Sequence, residues 1–440
     1  MTGTGAQATG TVAAASALRE RLAALSGARQ VAPPRPAVPS RPAVTLAGGY
    51  EEETPFGPCY LIERRYPLDH RHGPQPLGAL TAIAPDLLAA LGGDARLAAL
   101  PHERLVLLDT ETTGLAGGTG TYVFLVGLGF LTADAAGPAF VVRQYFLREL
   151  REERALLHAL GATLTQFGAL VTFNGKSFDW PLLATRYTLA RQAPPAATWP
   201  HLDLLHPARR VWKHRLPSCS LGSLEAAILD VQRVNDIPGA LIPDLYFRYL
   251  RDGDSRPLLP VLAHNEADII SLAALLIYLG QLAGPDGLNV YPDLPGADRY
   301  GLATLQAALG RHEASITALR GALADPALPA PLRRLARVTL ALALKRARQW
   351  DEAALLWRDL IRAEARRKAP DPWPYSELAK YQEHIARDYP AAIATVEAAL
   401  ALLALRGVAT GRDELRYRLA RLQRKQSGPA TQRPTPNSSP

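Results

Sequence analysis

The segment Leu107-Leu108-Asp109-Thr110-Glu111-Thr112-Thr113-Gly114-Leu115 places two carboxylates two positions apart at the end of an apolar run. Side chains at i and i+2 leave a strand on the same face, so Asp109 and Glu111 project together. Carboxylates this close repel unless a cation joins them. Oxygen donors of this kind suit Mg²⁺ or Mn²⁺, which keep positions open for phosphate and water. An exposed acidic strand end would show the same pair, so the pair alone only hints at metal. A third carboxylate, Asp179, follows Asn174-Gly175-Lys176-Ser177-Phe178 at a strand-to-helix turn, and His264-Asn265-Glu266-Ala267-Asp268 sets His and Asp on one face of a predicted helix. Four carboxylates at three addresses can hold two cations about 4 Å apart, the arrangement that clamps the attacking and leaving oxygens of an in-line phosphoryl displacement. A histidine beside them, titrating near neutrality, can take the proton of the attacking water.

Other polar residues compete for these roles. Asp203 ends a further short strand, but the Phe178-Asp179 turn makes Asp179 the better ligand, because a helix starts at His206-Pro207 straight after Asp203. Glu266 reads as a solvated helix residue, and Asp69, His70 and His72 as a polar loop. The glycine-rich stretch 117–120 has no helix N-terminus after it and so borders the site rather than cradling phosphate. Lys176, three residues before Asp179, is placed to approach the scissile phosphate. Arg209, Arg210, Lys213 and Arg215 gather around Trp212. Such cations neutralise backbone phosphates, and an indole stacks on an unpaired base for ~1–3 kcal/mol. An amphipathic helix with solvated arginines would give the same pattern.

The elements that must position these groups are legible in the hydrophobic periodicity. Strands are predicted over 105–108, 122–131 and 140–147 as an antiparallel meander. A helix over 150–167, a strand over 170–173, a helix over 181–191, a strand over 202–205 and helices near 220–229 and 265–282 follow. Strands first in a meander and then alternating with helices give an α/β fold on a mixed sheet, the order of the ribonuclease-H-like fold. After Gly301 helices dominate. Gly310, Arg348 and Arg387 begin three similar stretches, each with a ring two residues on (His312, Trp350, Tyr389), at spacings of 38 and 39 residues. The spacing exceeds the ~34 of a tetratricopeptide repeat, yet an all-α helical-repeat domain reads better than a plain bundle.

Together these motifs resemble the four-carboxylate (DEDD) 3′–5′ exonucleases of the ribonuclease-H-like superfamily, most of all the YprB-like branch that joins such a domain to tetratricopeptide repeats. The matching text is Asp109 to Leu115, Gly117 to Tyr122, Asn174 to Asp179, Asp203 to Arg210, Ser218-Cys219-Ser220-Leu221 and His264-Asn265. The resemblance is good over about 50–290, weaker over the repeats and absent at both ends. It implies two Mg²⁺ or Mn²⁺ ions, with Asp109 shared by both, Glu111 and Asp268 on the first and Asp179 on the second. It makes His264 the general base. It sets Thr112, Thr113, Gly114 and Leu115 against the terminal nucleotide, with Asn174 and Lys176 also expected at nucleotide. One departure stands out: proofreading-type members with a histidine carry it five residues before the last aspartate, whereas His264 sits four before Asp268, the spacing of the branch that uses tyrosine.

Five segments follow: a flexible Ala/Pro-rich lead (1–48, with a short helical patch at 18–25), an extension of the nuclease domain (49–100), the exonuclease domain (101–290), tetratricopeptide-like repeats (300–425) and a disordered tail (426–440). The 440 residues suffice for two or three cores. No run of ~18 uninterrupted apolar residues and no export signal is present, so no membrane contact and a cytoplasmic place are expected. Two cysteines exclude a disulfide framework or thiolate metal site and read as buried apolar residues. Formal charge is +8, and only six of the 49 basic residues are lysines, a balance that suits a polyanionic partner or reflects an arginine-rich genome. The expected function is 3′-end trimming of DNA in repair, with RNA as the alternative substrate and a non-catalytic repeat adaptor as the alternative class. The resemblance implies a protein partner on the repeats, such as a helicase.

Overall fold

A computed structural model of the chain describes residues 48–114, 119–234 and 236–427. Two antiparallel strands, β1 (Gly49–Thr54) and β2 (Gly57–Tyr66), open it; β3 (Arg71–His72) and β4 (Gln75–Pro76) form a small separate ribbon, and α1 (Pro85–Gly92) follows. Then come β5 (Leu105–Thr112), β6 (Val123–Asp134), β7 (Gly137–Phe146), α2 (Glu153–Leu164), β8 (Ala169–Thr172), α3 (Asp179–Leu189), β9 (His201–Asp203), α4 (Leu205–Trp212), α5 (Ile242–Asp252) and α6 (Leu259–Ala283). The seven-stranded sheet runs β1-β2-β7-β6-β5-β8-β9. It is antiparallel from β1 to β5 and parallel from β5 through β8 to β9. The mixed α/β sheet expected from the sequence is therefore present, widened by the β1–β2 hairpin. The expected helix near 220–229 is a short turn, Leu221–Leu224, followed by one π-helical turn, Glu225–Leu229.

Central β5 explains its own sequence: residues 105–108 are all buried, as befits a strand covered on both faces. On one face lies α6, which packs against β5, β6 and β7. This helix, with its leading turn from Arg256, is long and apolar enough to cross a membrane, but 83% of its apolar window is buried in the protein, as in a core helix. It comes close because the sheet beneath it lacks side chains. A Cβ on Gly127 would lie 2.4 Å from Asn265 Oδ1, and one on Gly129 2.5 Å from Ile269.

The C-terminal region is all helical: α7 (Gly296–Ala308), α8 (His312–Ala324), α9 (Ala330–Arg346), α10 (Trp350–Glu364), α11 (Trp373–His384), α12 (Tyr389–Leu405) and α13 (Arg412–Ser427). The three similar stretches share a backbone. Gly310, Arg348 and Arg387 all adopt left-handed φ values of 75°, 59° and 53°, and a helix begins two residues later in each. One continuous core, running from Leu77 to Leu378, joins sheet and helices. The lead with its patch at 18–25 lies outside the described residues, as does most of the tail.

Candidate metal centre and its groove

The site sits where β5 and β8 end. Asp109 and Glu111 face out of β5, Asp109 opposite Gly127 and Glu111 opposite Leu125. Over Gly127 the Asn265 amide reaches across and donates to Asp109 Oδ2 at 2.9 Å, while its own Oδ1 accepts from Gln144 at 2.9 Å. Asp179 occupies the first turn of α3, where the helix dipole favours negative charge, and accepts from the Thr110 hydroxyl at 2.5 Å. From α6, one turn apart, His264 and Asp268 face the same place: His264 Nε2 lies 3.4 Å from Asp268 Oδ2 and 3.9 Å from Glu111 Oε1. Donor atoms of Glu111, His264 and Asp268 all fall within 4.8 Å of one another, close enough to share one cation.

Electrostatics ties the other two carboxylates, Asp109 and Asp179, to these groups. Burial, then the charges of Asp268, Asp179 and Glu111, hold the Asp109 carboxyl well above the usual range. Burial and the charges of Asp268 and Asp179 push Glu111 up to about 8. Burial lifts Asp179 to about 6 against the Thr110 hydrogen bond, and raises Asp268 against Arg233 and His264. Crowded acids that resist ionisation are what a divalent cation relieves, and the oxygen-rich donor set with one imidazole fits such an ion.

Two residues at this site, Arg233 and Asp236, carried no signal in the sequence. Arg233 pairs with Asp268 and with Glu225, its Nε 2.8 Å from Glu225 Oε2, and Asp236 Oδ1 lies 2.6 Å from His264 Nδ1. They come from a turn without periodicity, 28 to 35 positions before their partners in α6.

Asp203, the rival ligand, is otherwise engaged. Its oxygens accept the backbone N–H groups of Asn174 at 2.8 Å, Leu205 at 3.1 Å and Lys176 at 3.2 Å. That bracing holds Asn174 in a left-handed conformation (φ 66°) and shapes the turn into Asp179. Asn174 and Lys176 are exposed at this turn. Thr113 closes the loop after β5 by exchanging hydrogen bonds with Tyr122 at 2.9 Å, and Thr112 Oγ1 donates to the Gly114 carbonyl at 2.9 Å. Leu115 and Gly117 lie outside the described residues.

Beside Asn174 opens a groove of about 770 Å³ that runs along α4 to Ser218 and Ser220. Arg209 and Lys213 line it; among the described residues they and Arg210 make no ion pair, and all three are exposed. Trp212 departs from expectation: it is wholly buried against Tyr278 and has no face to offer a base, because the helical period turns it inward. Arg215 is likewise tied down, pairing with the buried Asp298 at 2.7 Å. Glu266 is not solvated; it is buried, accepts from Tyr66 and pairs with Arg64 at 3.0 Å. Cys59 is buried as expected, but Cys219 is half-exposed in the groove. His72 hydrogen-bonds Ser271 at 2.7 Å and joins no metal-ligand cluster among the described residues.

With this geometry in place, the similarities to known proteins are as follows. A family model described as RNase_H superfamily matches residues 106–280, the stretch that carries every group of the metal centre. A curated protein of Bacillus subtilis (strain 168), the uncharacterized protein YprB, is 33% identical over 375 residues, which span 84% of this chain and 86% of that one. Among solved structures, the family B DNA polymerase from the hyperthermophilic archaeon Pyrobaculum calidifontis is similar over 47% of this chain and only 29% of its own, at 17% identity and a TM-score of 0.32, too slight a likeness for any argument.

Proposed function

Because this chain belongs to the family of the Bacillus subtilis protein YprB and carries an RNase H superfamily domain, we propose that it is a divalent-metal-dependent 3′–5′ exonuclease of the four-carboxylate type that trims DNA. The observation that supports this reading is the convergence of Asp109, Glu111, Asp179 and Asp268, from three distant parts of the chain, beside His264. Asp109, Glu111, Asp179 and Asp268 would hold two Mg²⁺ or Mn²⁺ ions, which when bound would stabilise charge on the attacking and departing oxygens. His264 Nε2, facing Glu111 and Asp268, takes the proton of the attacking water, while Asp236 at Nδ1 holds the ring in that orientation. Hydrolysis breaks the terminal phosphodiester and releases a 5′-mononucleotide, leaving a new 3′-hydroxyl. Thr112, Thr113, Gly114 and Asn174 line the approach of the terminal nucleotide. Arg209, Arg210 and Lys213 draw the trailing strand along α4 by its phosphates, a contact that weakens with salt. The C-terminal helices serve as the docking region for a protein partner, with tetratricopeptide-like repeats as their building unit.

Matched 5′-labelled DNA and RNA strands digested across a Mg²⁺ titration test the proposal. A ladder shortening from the 3′ end of DNA is expected, with activity lost by at least ~10³-fold in Asp109→Ala while the fold is kept. Mg²⁺-dependent cleavage retained by Asp109→Ala would refute the assignment. A ladder on RNA alone would move the substrate to RNA, and no cleavage of either would leave a binding protein.

A further inference from the structure

Far from the carboxylates, α9, α10, α11 and α13 border a cavity of about 280 Å³. Trp350, Trp357, Tyr381 and Ile385 form its apolar wall, and Ile385, at 47% exposure, stands at its mouth. Against this wall the cavity is cationic. Lys345, Lys380, Arg418 and Arg421 line it, whereas its only acidic lining residue among those described is Glu377, already paired with both lysines. Glu383, wholly buried alongside, accounts for part of the two guanidinium charges and draws Lys425 as well. Most telling are three buried donors on lining residues. Trp357 Nε1, Arg418 Nε and Arg421 Nε have no acceptor among the described residues, and both Trp357 and Arg418 are at least nine-tenths buried. Buried N–H groups are almost always satisfied, so three together mark a shell around this hollow whose donors outnumber its acceptors, an electropositive lining that favours an anionic occupant.

We propose that this cavity binds an acidic peptide segment of a partner protein, taking one apolar side chain against Trp350 and Ile385 while its carboxylates pair with the accessible cations Lys345, Lys380 and Arg421. Volume supports this choice: pockets for whole small ligands run from about 300 to 1,000 Å³, and this one is just below that range, the scale of a single side chain with its flanking polar atoms. A nucleic acid is the poorer match, because base stacking needs an open ring face and Trp357 is 1% exposed. The proposal names the chemistry of the docking partner and does not rest on the nuclease activity.

Fluorescence anisotropy on the full chain in EDTA, where no cleavage occurs, tests it. The probes are fluorescein-labelled peptides Asp-Glu-Asp-X-Glu-Asp-Asp with X as Leu, Met, Phe or Trp, their Asn/Gln counterparts, and an oligothymidylate. At least one acidic peptide is expected to bind about tenfold or more tightly than its neutral counterpart, and less tightly as salt rises. Lys380→Glu and, separately, Ile385→Asp are each expected to weaken it by about tenfold while oligothymidylate binding stays unchanged, and Ile385→Asp, which breaks no ion pair, keeps Tm as well. If no acidic peptide outbinds its neutral control, or if Lys380→Glu weakens the oligothymidylate instead, the assignment is wrong.

Discussion

Each carboxylate of the candidate metal centre is easier to protonate in the folded chain than outside it, and this gives the site a signature independent of catalysis. A group whose pKa is raised by folding contributes stability that is fully present below its unfolded value and lost as pH climbs through its folded value. For Glu111 that window runs from 4.5 to about 8, and for Asp179 from 3.8 to about 6. The metal-free protein is therefore expected to melt at progressively lower temperature across this range. Mg²⁺ or Mn²⁺, which require ionised ligands, should raise Tm more at about pH 8 than at about pH 6. Calorimetry in EDTA and in excess Mn²⁺ reads this directly, and a Tm indifferent to metal at the higher pH would remove the cation from the site. The acidic residues were legible because each lies in a short run whose spacing fixes its direction: two apart on a strand, four apart on a helix. Arg233 and Asp236 were not, since nothing local marks a turn residue whose partners lie on another element. Trp212 was misread for a related reason. A cluster of cations in sequence says nothing of which helical face each residue takes, and the buried face took the indole.

Two aspartates end or follow neighbouring strands, and the elements around them assign opposite duties. Asp203 gathers three backbone N–H groups of the turn after β8 and the start of α4, so Asp203→Ala leaves those donors without an acceptor, at a cost of about 2–3 kcal/mol. Urea denaturation should show that loss, while the variant that still folds keeps its metal-induced rise in Tm. Asp179→Asn should do the reverse: it removes a repelling charge, leaves stability equal or higher, and blunts the metal response. If the two exchanged these behaviours, Asp203 would be the ligand. At this scale the sequence was informative about β5 to β9 and α6, whose apolar runs are continuous or strongly periodic. It was silent on the β1–β2 hairpin. Edge strands carry charges and turn residues on their solvent side, and Glu51, Glu52 and Glu53 in β1 hide the pattern of burial. The helical starts at His312, Trp350 and Tyr389 were visible from their rings. That Arg348 and Arg387 share the backbone of Gly310 was not, because arginine seldom adopts it.

The C-terminal helices join the sheet through α4 and the end of α6. The first C-terminal helix, α7, lies so close to α4 that a Cβ on Gly301 would stand 1.9 Å from the Val211 carbonyl oxygen, and Arg215 reaches across to Asp298 beside it. Gly301→Val should cost roughly 1–3 kcal/mol through this clash. Because sheet and helices share a continuous core, calorimetry should show one transition moved to lower temperature; two separate transitions would mean the halves fold independently.

The inner side of α4 is clamped beneath Gly301 while its outer side carries Arg209 and Lys213, so the proposed track for a strand is packed directly against the first of the C-terminal helices. Under the proposed function, whatever the C-terminal helices hold is presented to the cutting end across this packed seam rather than along a free linker.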